Sequence, residues 1–211
     1  MRNFIRDGEL RAERYGFTVH RTLFAYFTLM VWLGRGYDED PLYPWAGRIL
    51  SNPLSAGQLD KAIILQDATL DYMERAEGPD NEHLKAVLRR LQTTTYSDLV
   101  PTPAGDFETY MLRWLESLHP RKCQVVGESA LRELTRKGKA AAGNYGFTTE
   151  RGFTVYIAMM FLLGAHFDRD PLLPWIQRAL TRPPEADQRM FVYRLYRAGM
   201  AYLRNVAGEM R

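Results

Sequence analysis

Apolar residues recur every three or four positions along most of the chain, which is the spacing of amphipathic α-helices. Two stretches, residues 23–33 and 153–163, are apolar around nearly the whole helical circumference, whereas residues 56–76 and 186–206 are apolar on one face. A helix that is apolar on every side is buried in a core. The pattern therefore predicts two central helices, each accompanied by an amphipathic one.

The chain contains an internal repeat. Residues 15–50 read YGFTVHRTLFAYFTLMVWLGRGYDEDPLYPWAGRIL, and residues 145–180 read YGFTTERGFTVYIAMMFLLGAHFDRDPLLPWIQRAL, with about half the positions identical and no gap. At the same offset of 130 residues the match extends to further pairs: Arg2 and Arg132, Arg6 and Arg136, Gly8 and Gly138, Leu65 and Leu195, Tyr72 and Tyr202. The repeat predicts two tandem copies of one four- to five-helix unit.

Helix-end residues recur in both copies. A first helix over residues 4–14, and again over 130–142, precedes a second, apolar one. Glycine adopts the left-handed conformation of a helix end without strain, and threonine caps the start of a helix. The predicted ends and caps are Gly16 and Gly146, Thr18 and Thr148, and Gly34 and Gly164.

An Asp-x-Asp-Pro segment follows the apolar helix in each copy. Aspartate before proline is typical of a helix start, with the aspartate as N-cap and the proline in the first turn. We therefore predict that Asp40 and Asp170 cap short helices that contain Trp45 and Trp175.

The middle of the chain is not part of the repeat. Residues 82–91 and 107–118 have helical spacing, and residues 93–105, with Pro101 and Pro103, read as an exposed loop. No strand pattern occurs, so the predicted fold class is all-α. The expected organisation is a first helical repeat (1–92), a linker (93–105) and a second helical repeat (106–211).

Composition narrows the function classes. The 28 basic and 25 acidic residues nearly balance, which disfavours nucleic acid as a partner. The single cysteine, Cys123, suits a reducing compartment and is expected to be a small buried hydrophobe. The apolar stretches fall short of the roughly 20 residues of a membrane span, and the N-terminus lacks a secretory signal. We therefore expect a cytoplasmic protein.

Two clusters could carry chemistry. His166, Asp168 and Asp170 suggest a metal, but the position that matches His166 in the first copy is a glycine, and helix capping explains the aspartates. His119 lies near Cys123, but Pro120 intervenes and no oxyanion loop accompanies them. Phosphate-binding and zinc motifs are absent. The sequence therefore predicts no catalytic, cofactor or metal site.

The last helix is the predicted partner-binding surface. It combines arginines and tyrosines, the mixture that is favoured at the centres of protein–protein interfaces. The residues are Tyr193, Arg194, Tyr196, Arg197 and Arg204. A solvated amphipathic face and a nucleic-acid contact are the alternative interpretations.

Residues 107–180 contain FETYMLRWLESLHPRKC, then GESALRELTRKG, then the second repeat copy. This run resembles helical proteins from bacterial type VI secretion loci and the helical C-terminal part of the adaptor chaperones that load effectors. The shared pattern is a Tyr-Gly turn, an apolar helix, Leu-Gly, aromatic-Asp-x-Asp-Pro and Pro-Trp. Its residues are Tyr145, Gly146, Leu163, Gly164, Phe167, Asp168, Asp170, Pro171, Pro174 and Trp175.

The resemblance implies a non-enzymatic type VI secretion accessory in the bacterial cytoplasm. As an adaptor or co-chaperone it would bind a secreted effector or that effector's chaperone. The alternative is an immunity protein that neutralises a toxin from the same locus; such proteins often present an acidic surface, which the near-neutral charge does not indicate. An enzyme is the third and least supported class.

Overall fold

The structure, a computed structural model, describes residues 2–52, 57–99, 106–181 and 187–209. These residues form α-helices and short 3-10 turns without a β-strand, which confirms the all-α class. No helix within these ranges is both long and apolar enough to cross a membrane. The helices are α1 (Arg2–Glu13), α2 (His20–Leu33), α3 (Pro44–Leu50), α4 (Gln58–Glu77), α5 (Glu82–Thr93), α6 (Phe107–Leu118), α7 (Pro120–Val126), α8 (Glu128–Asn144), α9 (Glu150–Leu163), α10 (Pro174–Leu180) and α11 (Gln188–Glu209).

Helix bounds recur at the offset of the sequence repeat. The helices α2 and α9 both have 14 residues, and α3 and α10 both have 7. Gly16 and Gly146 adopt φ angles of +80° and +83°, as predicted for helix ends. The following N–H groups, of Phe17 and Phe147, each donate back into the preceding helix at 3.1 Å.

Helices from both predicted repeats pack into one continuous apolar core. The helix α9 packs against α8, α11 and α6, while α2 packs against α1 and α4. The middle helices interlock the repeats, because α5 packs against α11 and α7 packs against α4. Residues 100–105 of the predicted linker lie outside the described residues.

The two apolar helices have different surroundings. Almost every residue of α9 from Gly152 to Phe161 is buried, as predicted for a central helix. The same prediction is wrong for much of α2, because Phe24 is 74% exposed and Val31 is 58% exposed. In the second copy α6 lies beside α9, with the Phe107 ring 5.9 Å from that of Phe153. No described helix occupies that place on α2.

The predicted role of Asp40 and Asp170 as helix caps is wrong. The helices α3 and α10 begin at Pro44 and Pro174, so the prolines of the Asp-x-Asp-Pro segments lie outside them. Each aspartate instead accepts the N–H two residues on, from Leu42 and Leu172, at 2.8 Å. An aspartate carboxylate can accept a hydrogen bond either from the N–H two residues on, as here, or from the first turn of a helix, so the two arrangements compete.

The predicted threonine caps are displaced by one residue. Val19 is the N-cap of α2, and Thr149, not Thr148, caps α9 by accepting the N–H of Gly152 at 3.2 Å. In the first copy no side chain caps α2, and the Gln58 side-chain oxygen instead accepts the N–H groups of Thr18 and Val19, which lie just before the helix. The segment before each apolar helix is therefore held by a different polar side chain.

Candidate functional site

The two copies meet where α2 and α9 end. Gly34 and Gly164 have φ angles of +94° and +96°, a conformation that only glycine adopts without strain. A Cβ on Gly34 would lie 2.7 Å from the carbonyl oxygen of Leu163, and one on Gly164 would lie 3.0 Å from that of Leu33. The backbones therefore approach too closely here for any other residue.

The second aspartate of each Asp-x-Asp-Pro segment lies where the copies meet. Asp40 Oδ2 accepts the N–H of Ala165 at 2.7 Å, and burial raises the pKa of Asp170 while the nearby backbone N–H groups of Leu172 and Arg35 oppose that rise. The Asp40 carboxylate therefore holds its own turn and the other copy's backbone. Burial raises the pKa of Asp40 to about 6, although the N–H groups of Ala165 and Leu42 and the charge of Lys122 oppose the rise.

The first aspartate of each segment holds its loop to the preceding helix. Asp38 receives hydrogen bonds from the Arg11 guanidinium, at 2.5 and 3.2 Å, and from the Tyr15 hydroxyl at 2.9 Å. Asp168 receives the Tyr145 hydroxyl at 2.8 Å. In the second copy an alanine stands at the position of Arg11, and the cation near Asp168 is instead Arg169, whose Nε lies 3.7 Å from Asp168 Oδ2.

The candidate metal cluster does not converge. Asp168 binds Tyr145, Asp170 binds a backbone N–H group, and His166 lies against Gly36. Within the described ranges, no three His, Cys, Asp or Glu side chains are grouped as a metal site requires. Burial lowers the pKa of His166, so the ring is neutral at physiological pH.

A cavity of about 340 Å³ lies between the copies, with walls from α2, α4, α7 and α9. Four acidic or basic side chains line it: Glu77, His119, Lys122 and Asp170. His119 Nδ1 accepts the backbone N–H of Lys122 at 3.2 Å, so the proton is assigned to Nε2, which donates to Glu77 at 3.0 Å. Burial would raise the pKa of Glu77, but the His119 hydrogen bond and the Lys122 charge lower it.

Lys122 connects α7 to the end of α9. Its Nζ donates to the carbonyl oxygen of Phe161 at 2.8 Å and lies 4.8 Å from the centre of the Phe161 ring. The last carbonyls of a helix lack partners within the helix and carry partial negative charge, so a cation is favourable here. Burial lowers the pKa of Lys122.

The described lining of the cavity contains no serine, threonine or cysteine. Cys123 is buried, and burial raises the pKa of its thiol to about 12, so the reactive thiolate is scarce. Both ring nitrogens of His119 are already bonded to Glu77 and Lys122 and do not serve Cys123.

The predicted partner-binding residues of α11 fall into two groups. Tyr196 is buried, and its hydroxyl donates to the carbonyl of Thr94 at 2.9 Å. Arg194 donates to the carbonyls of Ala179 and Thr181, which closes the end of α10. The exposed residues are Tyr193, Arg197 and Arg204. Of these three, Tyr193 also packs its ring against that of Tyr96, at 5.2 Å.

The structure adds a surface that sequence reasoning missed. Seven large apolar side chains of α2 and α4 are 44–74% exposed, and we call the surface that they occupy the α2–α4 face: Phe24, Val31, Trp32, Leu59, Ile63, Ile64 and Leu70. A groove of about 230 Å³ runs between the two helices. The available signal was a difference between the copies, because Thr154 and Arg189 stand at the positions of Phe24 and Leu59.

Comparisons with known proteins returned no match, whether with protein-family models, with curated proteins or with solved structures.

Proposed function

We propose that this chain is a non-enzymatic adaptor or co-chaperone of bacterial type VI secretion, which binds a secreted effector or its chaperone in the cytoplasm. The observation that carries the binding role is the α2–α4 face, where Phe24 is 74% exposed and Trp32 is 48% exposed. Contiguous apolar surface of this kind marks protein interaction sites. The assignment to type VI secretion comes from the sequence pattern around Tyr145 and Trp175.

A non-enzymatic role is supported by the state of the cavity groups. His119, Glu77 and Lys122 each satisfy another group of the protein, at 2.8–3.2 Å. Two of these contacts connect α7 to α4 and to α9. A structural role, as the hydrogen-bonded connection between α4, α7 and α9, is therefore sufficient to explain these three residues.

We also propose that the fold arose from two tandem copies of one helical unit. The support is the shared offset of the sequence matches and of the helix bounds, together with the reciprocal contact of Gly34 and Gly164. The middle helices α5 and α6 pack on the second copy and leave the equivalent surface of the first copy open. In a duplicated fold whose middle helices cover only the second copy, the packed core provides stability and the uncovered helices of the first copy provide a binding surface.

An immunity protein is the second candidate, and one observation favours it. Four exposed carboxylates follow one side of α4: Asp60, Asp67, Asp71 and Glu74. An acidic row beside an apolar face suits a basic toxin. The overall charge of +3 hides this local feature.

Co-expression with each protein encoded beside the gene tests the proposal. We expect one effector, or one effector chaperone, to co-purify, and deletion of the gene to abolish secretion of that effector alone. Capture of a toxin with loss of the toxin's activity would make the chain an immunity protein. Normal secretion of every effector from the deletion strain would contradict the adaptor role.

A further inference from the structure

The second copy shows what covers this kind of face. There, α6 packs against α8 and α9, and α5 packs against α11. At matched positions, Thr154 is fully buried where Phe24 is 74% exposed, and Met200 is 3% exposed where Leu70 is 48% exposed. The same helix pair is therefore closed by further helices in one copy and open in the other.

The contacts in the second copy show how the cover is held. The Phe107 ring of α6 lies 5.9 Å from that of Phe153, and the Tyr96 ring after α5 lies 5.2 and 5.4 Å from those of Tyr193 and Tyr196. The cover is thus an amphipathic helical segment that places aromatic side chains between neighbouring helices. The groove between α2 and α4 offers the same geometry to an incoming helix.

Charge distinguishes the open face from the closed one. Asp67 lies one helical turn beyond Ile63, and Glu74 lies one turn beyond Leu70, so carboxylates border the apolar side chains. In α11 the matching positions are Arg197 and Arg204. The α4 border of the open face is therefore acidic where the matching α11 border is basic, and Arg21 lies on the α2 side of the groove.

We propose that the α2–α4 face binds one amphipathic helix of a partner protein, with its apolar ridge in the groove and lysine or arginine along the flank that faces α4. The proposal rests on the proposed protein-binding role and names the element that is bound. A second copy of this chain fits less well, because its own cover helices, α5 and α6, are already packed on its second half.

Two synthetic 18-residue model helices test this. They share a leucine ridge and differ only on one flank, which carries lysines in the first and glutamates in the second. Each fluorescently labelled peptide is titrated with the full chain, and anisotropy is measured. We expect saturable binding of the lysine peptide, at least about tenfold tighter than that of the glutamate peptide and weaker at high salt.

A double variant, Phe24→Ser with Ile63→Ser, should weaken binding of the lysine peptide at least about tenfold. Met190→Ser is the matched control, because Met190 is 64% exposed on α11 and should not affect binding. Both variants change exposed side chains, so circular dichroism and urea midpoints should stay close to those of the wild type.

Equal binding of both peptides, no saturable binding, or full binding by the double variant would overturn the proposal. Concentration-dependent dimerisation that the double variant abolishes would assign the face to a second copy instead. A co-purified effector whose affinity the double variant leaves unchanged would refute this docking site but keep the adaptor role. Peptide binding as expected, without any effect of gene deletion on secretion, would support this docking site and contradict the adaptor role.

Discussion

Replacing Gly34 with alanine tests the tight junction between the copies. Gly34 has φ +94° and ψ 156°, a region that residues with a Cβ avoid at a cost of about 1–3 kcal/mol. The new methyl group would also lie 2.7 Å from the carbonyl oxygen of Leu163. This neighbour is backbone and cannot rotate away, so overpacking adds about 1–3 kcal/mol. We expect Gly34→Ala to lower the free energy of unfolding by about 2–6 kcal/mol.

Alanine substitutions at two other glycines separate the cost of backbone strain from the cost of steric contact. Gly16 also has a positive φ, +80°, but a Cβ there would meet nothing within 4 Å, so Gly16→Ala should cost only about 1–2 kcal/mol. Gly143 lies within α8, with no unusual φ and open space around it. Gly143→Ala should be neutral or stabilise the protein by up to about 1 kcal/mol.

Urea unfolding followed by circular dichroism and by tryptophan fluorescence measures these differences. Both signals should give one transition in each variant, because the core runs through both copies. A loss for Gly34→Ala no larger than that for Gly16→Ala would refute the close approach of the two backbones. Two separate transitions in the wild type would refute the single core.

Three further predictions concern buried polar groups. Burial raises the pKa of Asp40 from 3.8 to about 6, so the folded state binds the proton more tightly than the unfolded state does. Protonated Asp40 therefore contributes about 3 kcal/mol to the free energy of unfolding below pH 4, and this contribution is lost as the pH rises through 6. The difference in unfolding free energy between wild type and Asp40→Asn, measured from pH 4 to 7.5, should follow that slope, and a constant difference would contradict it. Arg11→Ala should cost about 3–5 kcal/mol in urea unfolding because Asp38 would stay buried without its cation, and a loss under 1 kcal/mol would refute this. Tyr196→Phe should cost about 1 kcal/mol through loss of the Thr94 hydrogen bond, and an unchanged urea midpoint would show that bond to be dispensable.

Much of the helical framework could be predicted because its signals are local. Apolar spacing and the Gly-containing helix ends lie within one or two turns of the elements that they define, and the prediction for residues 107–118 matches α6. The seven-residue helix α7 was missed, since it is too short to show a period. Its start depends on Pro120 and on the His119 side chain, which accepts the Lys122 N–H.

The roles that sequence reasoning missed depend on distant partners. Asp40 and Ala165 are 125 residues apart, and nothing local distinguishes an aspartate that caps a helix from one that reaches another copy. Exposure of Phe24 is equally non-local, because an apolar pattern states what a helix can bury and not whether a neighbour covers it. The candidate cavity was likewise invisible, since Glu77 and His119 meet only after α4 and α7 pack.

The open face is better explained by binding than by a loss of packing. A surface without a partner tolerates polar residues, and large exposed apolar groups favour aggregation. Phe24 and Trp32 are nevertheless larger than Thr154 and Leu162, the matching residues of the covered copy. Aromatic side chains dominate the energy of protein interfaces, since they bury much area at little cost in side-chain entropy. The proposed binding role therefore falls on the copy that lacks an internal cover.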